Sequence, residues 1–240
     1  MLFRSMLQSN LAAKAEQLNL RFARLPAESL LKEVFAHGLL GRAALVSSFG
    51  GEAAVLLHML SKIAPDAPIL FIDTELLFPE TLAYQAELAT RFQLSNVQRL
   101  RADTSFTDPT RRLHRSDPEA CCALRKTAPL QAALAPYAAW ASGRKRFQGG
   151  ARSTLELFEA EHGTGRIKLN PLANWSPKQI TSYFEAHDLP RHPLTAKGYG
   201  SLGCAPCTSP AKGRAGRWQD RAKTECGIHL PATTPKGENA

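Results

Sequence analysis

The segment that decides the fold reads Ala43-Ala44-Leu45-Val46-Ser47-Ser48-Phe49-Gly50-Gly51-Glu52. Its first five residues form a short apolar run that predicts a buried strand, and the apolar residues from Val55 to Met59 predict a following helix. Small residues at a helix N-terminus let backbone N–H groups approach an oxyanion, so we expect residues 47–52 to bind phosphate or sulfate. The Walker lysine is missing, which excludes a GTPase-type loop. An ordinary strand–helix turn stays an alternative.

Four more short segments are predicted to be strands of one sheet, at residues 69–72, 97–100, 138–142 and 167–169. Helical stretches lie between them, and this alternation favours a mostly parallel, doubly wound sheet in an α/β fold. The second run ends at Asp73-Thr74-Glu75. A carboxylate at the carboxyl end of a parallel strand lies where open sheets bind ligands. Asp73 is therefore a candidate for a ribose or adenine contact, with a helix N-cap as the alternative.

Helices are predicted at residues 7–40, 79–92 and 119–134, and a fourth begins at Ser176. In this fourth helix the serine is the N-cap, Pro177 takes the first helical position and Gln179 completes a capping box. The residues after Leu230 are polar and contain two prolines, which predicts a disordered end of the chain.

Four cysteines lie in two clusters, Cys121-Cys122 and Cys204-Ala205-Pro206-Cys207. The Cα atoms of neighbours are about 3.8 Å apart, whereas a relaxed disulfide needs roughly 4.4–6.8 Å. Adjacent thiols are better explained by a shared ligand. Four thiolates suit a [4Fe–4S] cluster, which offers each sulfur its own iron, or a zinc ion. Small buried residues on a helix are the third interpretation.

Cations follow the cysteines in both halves of the chain. Lys126 lies four residues after Cys122, on the same face of a predicted helix, and could face both a cluster and an anionic substrate. The segment Gly143-Arg144-Lys145-Arg146-Phe147-Gln148 places three consecutive cations after a predicted strand, a pattern typical of a sulfate or phosphate clamp. A solvated basic loop is the alternative. Arg214 and Arg217 come after the second cysteine cluster.

The fifth cysteine, Cys226, lies near the end of the chain between Lys223 and His229. Neighbouring cations favour the thiolate form of a cysteine, and the thiolate is the nucleophile. A mobile C-terminal segment could carry such a thiolate into and out of a site. An unreactive surface thiol is the alternative.

Composition limits the classes of function. The chain has 240 residues, of which 44% are hydrophobic, and a net charge of +9, which fits an anionic partner such as a nucleotide. It has no apolar run of 18 residues, so we expect no membrane span. The N-terminus lacks a secretory apolar region, and an odd number of cysteines argues against a fully paired disulfide framework. We therefore expect a cytoplasmic protein.

Taken together, the chain resembles the assimilatory sulfonucleotide reductases, specifically the iron–sulfur adenylyl-sulfate (APS) reductases. The resemblance covers roughly residues 43 to 230 and rests on six motifs. They are Ser47-Ser48-Phe49-Gly50-Gly51-Glu52, Asp73-Thr74 with Leu77-Phe78-Pro79-Glu80-Thr81, Cys121-Cys122-x-x-Arg125-Lys126, Gly143-Arg144-Lys145-Arg146 with Gln148, Gly203-Cys204-x-x-Cys207, and Glu225-Cys226-Gly227-Ile228-His229. The paired cysteines and the terminal Glu-Cys-Gly-x-His are highly specific in combination.

The resemblance implies a Rossmann-like adenine nucleotide alpha-hydrolase fold with one [4Fe–4S] cluster per chain on Cys121, Cys122, Cys204 and Cys207. It implies that Cys226 attacks the sulfur of APS, that AMP leaves, and that thioredoxin (or glutaredoxin) releases sulfite from the S-sulfocysteine. This reaction belongs to assimilatory sulfate reduction and cysteine biosynthesis. The implied substrate-binding residues are residues 47–52 with Asp73, Thr74, Lys126, Arg144, Lys145, Arg146, Gln148, Arg214, Arg217 and His229.

The same resemblance gives the expected organisation. It comprises an N-terminal helical segment (1–42), a nucleotide-binding and cluster domain (43–207) and a mobile C-terminal tail (208–240) that carries the catalytic cysteine. We expect a homo-oligomer that binds neither nucleic acid nor membrane. At position 75 the family commonly has glycine, whereas this chain has a glutamate, which adopts a positive φ less readily.

Three alternatives stay open. Reductases of the 3′-phosphorylated substrate (PAPS) often lack the four cluster cysteines, so their presence favours APS, although some members with the cluster accept both. An iron–sulfur, RNA-modifying ATP pyrophosphatase is possible on charge, but Ser-Ser-Phe-Gly-Gly-Glu differs from the Ser-Gly-Gly-x-Asp-Ser expected there. A zinc-stabilised nucleotide-binding module without catalysis is the third.

Overall fold

A six-stranded sheet forms the centre of the structure, a computed structural model that describes residues 2–219 and 223–229. The predicted disorder after Leu230 lies outside these residues. The strands are β1 (Ala43–Ser47), β2 (Ile69–Ile72), β3 (Val97–Leu100), β4 (Ala139–Ser142), β5 (Phe158–Glu161) and β6 (Arg166–Leu169). Their order is β3-β2-β1-β4-β6-β5, and every pair is parallel except β5 with β6. The predicted α/β fold with a mostly parallel sheet is confirmed.

Helices flank this sheet. They are α1 (Leu2–Phe22), α2 (Ala27–Leu31), α3 (Ala53–Ile63), α4 (Pro79–Arg91), α5 (Leu113–Ser116), α6 (Pro118–Cys122), α7 (Ala128–Leu134), α8 (Pro177–Ala186) and α9 (Pro193–Ala196). The helix predicted over 7–40 is in fact interrupted before Ala27, because Pro26 has an extended backbone (φ −58°, ψ 154°). Two π-helical segments extend helices: Lys32–Ala36 follows α2, and Ala123–Thr127 joins α6 to α7.

The strand β1 is buried on both faces, as its unbroken apolar sequence predicts. Leu45 belongs to the larger core, which lies on the side of α1, α3 and α8. Ala44 and Val46 belong to a smaller core on the other face, together with Leu70, Ile72, Leu130, Leu134, Tyr137 and Trp140. The two cores hold the carboxyl ends of β1, β2 and β4 at one edge of the sheet, with Ser47 beside Phe71 and Val46 beside Ser142.

The edge strand β5 is covered by the first helix. Asn19 Nδ2 donates to the carbonyl of Phe158 at 2.9 Å, and Phe158 N donates back to Asn19 Oδ1 at 2.9 Å. The Phe22 and Phe158 rings pack with centroids 5.9 Å apart. A side-chain amide thus satisfies backbone groups that an exposed edge would leave open to pairing with another chain. The helical segment of residues 1–42 therefore contributes to the larger core, and the three proposed segment boundaries stay predictions.

The capping box at the start of α8 is present. Ser176 Oγ accepts from the backbone N–H of Gln179 at 3.2 Å, and Gln179 Oε1 accepts from Ser176 N at 2.9 Å. We expect Ser176→Ala to lower the free energy of unfolding by about 1 kcal/mol, because the backbone N–H of Gln179 in the first helical turn loses its acceptor. Ser182→Ala is the matched control: this exposed serine lies within α8 and caps nothing. Chemical denaturation of both variants tests this, and equal stabilities would contradict it.

Candidate active site

The oxyanion loop, defined here as residues 47–52, leaves β1 in a tight turn. Ser47 Oγ accepts from the backbone N–H of Phe49 at 3.2 Å. Phe49 has a φ of +47°, and its buried ring packs edge-on against Phe71 with centroids 5.0 Å apart. Burial of this aromatic side chain stabilises a backbone conformation that non-glycine residues rarely adopt. The loop then opens α3, with Glu52 in the N-cap position.

The basic loop of residues 143–148 is tied to the oxyanion loop. Lys145 Nζ donates to Glu52 Oε2 at 2.7 Å and to the carbonyl of Gly143 at 2.9 Å. Gln148 Nε2 donates to the same Glu52 oxygen at 3.3 Å. Burial lowers the pKa of Lys145, although the Glu52 carboxylate opposes this shift. Lys145 therefore has a carboxylate partner of its own within the protein.

The other two cations of this loop point to different partners. Arg144 is buried and pairs with Glu159, and its guanidinium also donates to Asn170 Oδ1 at 3.1 Å. Arg146 Nε donates to the carbonyl of Leu155 at 2.6 Å. The three consecutive cations thus do not converge on one point in this structure. Their predicted contact with substrate stays a prediction.

Asp73 lies buried at the carboxyl end of β2, as predicted, and is already engaged. Its Oδ2 accepts from Arg99 Nε at 2.8 Å and from Arg101 Nε at 2.7 Å, and its Oδ1 accepts from Glu75 N at 2.9 Å. Burial raises the pKa of this carboxyl, but the hydrogen bonds and the two arginines outweigh it, so the net pKa is lowered. In this structure Asp73 binds protein groups. Its ribose or adenine contact stays a prediction.

The departure at position 75 has a structural account. Glu75 has a φ of +59°, in the region where glycine is favoured. Its carboxylate lies 3.4 Å from Nη1 of the buried Arg125 and 3.6 Å from Nη2 of Arg111. Arg125 also pairs with Asp108 at 2.8 Å and donates to the carbonyl of Thr74 at 2.9 Å. The side chain at position 75 thus helps to hold Arg125, which compensates for an unfavourable backbone conformation.

The two cysteine clusters meet at this edge of the sheet. Cys121 and Cys122 are buried at the end of α6, and Cys204 is buried beside β2, where its Sγ lies 3.2 Å from Thr74 Oγ1. Burial raises the pKa of Cys121 to about 11, and the thiols of Cys122 and Cys204 add to the shift. No disulfide joins the five cysteines, all of which the structure describes. Cys207 follows in a short 3₁₀ turn, Ala205–Cys207.

Lys126 lies in the π-helical segment beside these thiols. It is buried, and burial alone would lower its pKa, but the negative charges of Cys204, Cys226 and Cys122 outweigh it and raise the pKa. This buried ammonium interacts with thiols of both cysteine clusters and with Cys226, and its place between a cluster and an anionic substrate stays a prediction. π-Helical turns occur frequently at functional sites.

Arg217 and Arg214 come from the loop after the second cysteine cluster. Arg217 Nη1 donates to the carbonyl of Leu202 at 2.8 Å, and a Cβ at Gly203 would lie 2.2 Å from Arg217 Nη2, so a side chain at position 203 would displace this guanidinium. Arg214 Nη2 donates to the carbonyl of Thr224 at 2.8 Å. Burial lowers the pKa of Arg214 to about 10, with the positive charge of Arg152 contributing. Both guanidiniums interact electrostatically with Cys226.

Residues 223–229, called the nucleophile segment after the predicted role of Cys226, lie across this site. Glu225 forms a bidentate ion pair with Arg152, with Nε–Oε1 and Nη2–Oε2 distances of 2.6 and 2.9 Å. Burial raises the pKa of Glu225, but Arg152 and Arg214 lower it below its ordinary value. Ile228 packs against the smaller core, and the ring of His229 stacks on Trp140 with centroids 5.7 Å apart.

His229 has an unsatisfied polar atom. Burial lowers the pKa of its imidazole well below 6.5, and the cations Arg144 and Lys168 add to this effect, so the ring is neutral at pH 7. Its Nδ1 is buried without a hydrogen-bond partner within the described part of the chain, as is Nε1 of Trp140. Buried polar atoms normally have partners. These two nitrogens are therefore candidates to contact a bound substrate.

Sequence reasoning missed several of these residues. The sequence assigns no role to Arg152, a further cation after the basic loop. Lys168 and Trp140 were not singled out, yet Lys168 Nζ lies 4.9 Å above the Trp140 ring. Burial lowers the pKa of Lys168 to about 8, with the Arg144 cation contributing. A charged residue between two apolar residues of a predicted strand, such as Lys168 between Ile167 and Leu169, is a signal that could have identified it.

Residues 42–210 match the family model described as the phosphoadenosine phosphosulfate reductase domain. The chain belongs to this reductase family. The resemblance drawn from the six motifs is thereby confirmed, and with it the prediction of an enzyme that acts on a sulfur group. Within the described residues, none of the helices combines the length and apolar composition that crossing a membrane requires.

Named relatives of this reductase family cover most of the chain. The adenosine 5′-phosphosulfate reductase of Mesorhizobium japonicum is 43% identical over 91% of this chain and 88% of its own length. The phosphoadenosine 5′-phosphosulfate reductase of Gloeobacter violaceus is 40% identical over 77% of this chain and 81% of its own. Among solved structures, phosphoadenylyl-sulfate reductase from Candida auris in a phosphate complex has a TM-score of 0.70 and 26% identity, covering 81% of this chain and 96% of its own.

A more distant structural neighbour shows the fold alone. FMN adenylyltransferase from Candida glabrata, solved with FMN and an ATP analogue, has a TM-score of 0.57 and 18% identity. It covers 86% of this chain and 74% of its own. This likeness agrees with the predicted adenine nucleotide alpha-hydrolase architecture.

Proposed function

We propose that this chain reduces adenylyl sulfate (APS) to sulfite and AMP through an S-sulfocysteine on Cys226, with thioredoxin (or glutaredoxin) as reductant. The observation that carries the proposal is the position of the nucleophile segment. Its thiol interacts electrostatically with Lys126, Arg214 and Arg217 at the edge of the sheet where the oxyanion loop lies. The relatives named adenosine 5′-phosphosulfate reductases support the same activity.

The proposed chemistry has two half-reactions. In the first, the Cys226 thiolate attacks the sulfur of APS, a sulfur–sulfur bond forms, and AMP leaves with the electron pair of the broken sulfur–oxygen bond. In the second, a thioredoxin thiolate attacks Cys226 Sγ, and sulfite leaves with the sulfur–sulfur electron pair. The second thiol of thioredoxin then resolves the mixed disulfide, so two electrons pass from the dithiol to the sulfur released as sulfite.

The cationic residues of the site counter the repulsion in the first step. The sulfuryl group carries negative charge that repels a thiolate, and fixed cations aimed at this charge lower the barrier. Lys126, Arg214 and Arg217 are the proposed cations. The oxyanion loop, with Asp73, Thr74, the basic loop and His229, is proposed to bind the nucleotide and its sulfate.

We further propose that Cys121, Cys122, Cys204 and Cys207 hold one [4Fe–4S] cluster. Among the described residues, no three His, Cys, Asp or Glu side chains are close enough to hold a single metal ion. A zinc ion needs all its sulfurs about 2.3 Å from one centre, whereas a cluster binds each sulfur on a separate iron. The adjacent thiols of Cys121 and Cys122 can bind two different irons, so the four-thiol donor set fits a cluster. When bound, the cluster would contribute to the electrostatic field at the substrate.

The substrate is the part of this proposal most open to direct test. We expect purified protein with thioredoxin to turn over APS with a higher kcat/KM than PAPS, because the four cysteines are typical of the APS branch. The relatives named as PAPS reductases make PAPS the specific alternative. Sulfite and AMP release from each substrate should be measured with the same reductant. A clear preference for PAPS would contradict the substrate assignment and leave the family unchanged.

The remaining elements stay predictions. They are a cytoplasmic location, a homo-oligomer, a role in cysteine biosynthesis, and a C-terminal tail (208–240) that moves during the cycle. Membership in the reductase family argues against the RNA-modifying ATP pyrophosphatase, an alternative that also leaves the Glu225-Cys226-Gly227 motif unexplained.

A further inference from the structure

Arg152 contacts the nucleophile segment through two hydrogen bonds. Its guanidinium holds both carboxylate oxygens of Glu225, the residue directly before Cys226, and both side chains are 11% exposed. Two parallel N–H···O bonds fix the orientation of a carboxylate as well as its distance. Arg214 Nη2 adds a contact to the same carboxylate at 3.3 Å. The residue before the thiol is thus fixed by two guanidiniums.

The same arginine reaches back toward the oxyanion loop. Arg152 Nη1 donates to Gln148 Oε1 at 2.5 Å, and Gln148 Nε2 donates to Glu52 Oε2 at 3.3 Å. Glu52 ends the oxyanion loop. Four side chains, Glu52, Gln148, Arg152 and Glu225, therefore form a continuous hydrogen-bonded row between the loop proposed to bind substrate and the segment that carries the thiol.

The other side of Cys226 is also anchored. Ile228 packs against the smaller core, and His229 stacks on Trp140. Cys226 itself is only partly buried. The position of its sulfur therefore depends on anchors at residues 225, 228 and 229, and the anchor at 225 is linked to the oxyanion loop by hydrogen bonds through Arg152 and Gln148.

We propose that Arg152 is a positioning residue, which holds Cys226 in line with the bound substrate by clamping Glu225 to the Gln148–Glu52 end of the oxyanion loop. The proposal rests on the function proposed above and extends it to two residues, Arg152 and Glu225, that act through the thiol's neighbour. This positioning role differs from direct binding of the substrate by Arg152, because the guanidinium already donates to both carboxylate oxygens of Glu225.

The test separates positioning from binding. The full chain, with its cluster, is prepared as Arg152→Gln, Glu225→Gln and the double variant, and the sulfonate adduct on Cys226 is followed in a single turnover with APS and no reductant. We expect adduct formation to slow roughly 100-fold in each single variant, since a small misplacement of reacting atoms costs this much. APS affinity should stay within about threefold of wild type, and the double variant within about threefold of the slower single variant, because both changes remove one interaction.

A second measurement needs no catalysis. Alkylation of Cys226 by iodoacetamide in the ligand-free protein, mapped by peptide mass, reports how firmly the nucleophile segment is held. Both single variants should be alkylated faster than wild type, since release of Glu225 frees the segment. Arg91→Gln is the matched control, because it breaks an exposed arginine–carboxylate pair with Asp188. It should change neither the rate of adduct formation nor the rate of alkylation. Glu225 lies outside the sheet, and Glu225→Gln keeps the shape of the side chain. This variant therefore provides the test if Arg152→Gln folds poorly.

The outcomes are distinguishable. If both single variants form the adduct, and are alkylated by iodoacetamide, at the wild-type rates, the positioning role is overturned and the proposed function stays intact. A loss of APS affinity equal to the loss of rate would overturn it too, and make Arg152 a substrate ligand. Absence of any adduct on wild-type Cys226 would instead contradict the proposed function itself.

Discussion

Cys226→Ser should lose sulfite production by roughly three orders of magnitude or more while still binding APS. A serine hydroxyl is far less ionised than a thiol and a weaker nucleophile, so the first half-reaction loses its attacking group. The substitution removes neither a proposed cluster ligand nor a residue of the oxyanion loop. We therefore expect the iron content and the absorption spectrum to match the wild type. Steady-state sulfite release, APS binding by calorimetry and iron analysis check the three parts.

The covalent intermediate gives this prediction a positive counterpart. Wild-type enzyme incubated with APS and no thioredoxin should gain about 80 Da, the mass of one SO₃ group, on the peptide that contains Cys226, because formation of the covalent intermediate needs no reductant. Addition of thioredoxin should remove it by thiol attack on the sulfocysteine. An adduct on Cys204 or Cys207, or substantial activity in the serine variant, would make Cys226 a bystander.

Sequence reasoning located the first three strands of the sheet best. The bounds predicted for β1, β2 and β3 agree with the structure, because each is a short run closed by turn residues. The strand β5 was missed. Its sequence, Phe158-Glu159-Ala160-Glu161, alternates apolar and charged residues over only four positions, and it owes its place to pairing with β6 and to cover by α1. Long-range pairing of this kind is not encoded in the local pattern.

The missed strand also explains why the basic loop was only partly understood. Composition identified the cations Arg144, Lys145 and Arg146, but not which carboxylates they would meet. Glu159, the partner of Arg144, comes from β5, and Glu52, the partner of Lys145, comes from the oxyanion loop 93 residues earlier. A sequence gives the charges of a loop, whereas the partners depend on which elements the topology brings together.

For the nucleophile segment, too, the sequence identifies the residues but not their partners. The motif Glu225-Cys226-Gly227 was identified from sequence, but the role of its glutamate was not. The glutamate pairs with Arg152, which lies 73 residues earlier in a short 3₁₀ turn. Position 75 was a departure with no sequence-based account, and the contacts of Glu75 with Arg125 and Arg111 supply one. Both cases required the tertiary structure.

Cys121→Ser and Cys204→Ser should each lose iron, from about four atoms per chain in the wild type toward none. A serine oxygen is a poor replacement for a thiolate on iron, and a cubane that loses one of four protein ligands is exposed to solvent. We expect less soluble protein from both variants as well, since ligation contributes to folding in metal-bound domains. Anaerobic absorption spectra with iron and sulfide analysis measure the first effect, and soluble yield measures the second.

The control for the cysteine variants is Cys226→Ser, because it makes the same chemical change outside the proposed ligand set. Its iron content should equal the wild type. Cys121 and Cys204 are both buried, and Cys204 also contacts Thr74, so a serine there costs packing whether or not a cluster is bound. Iron content per soluble chain separates the two causes. Full iron content in soluble Cys121→Ser or Cys204→Ser protein would show that the substituted residue is not a cluster ligand. One zinc per chain in colourless wild-type protein would show that the four cysteines hold a structural zinc ion instead of a cluster.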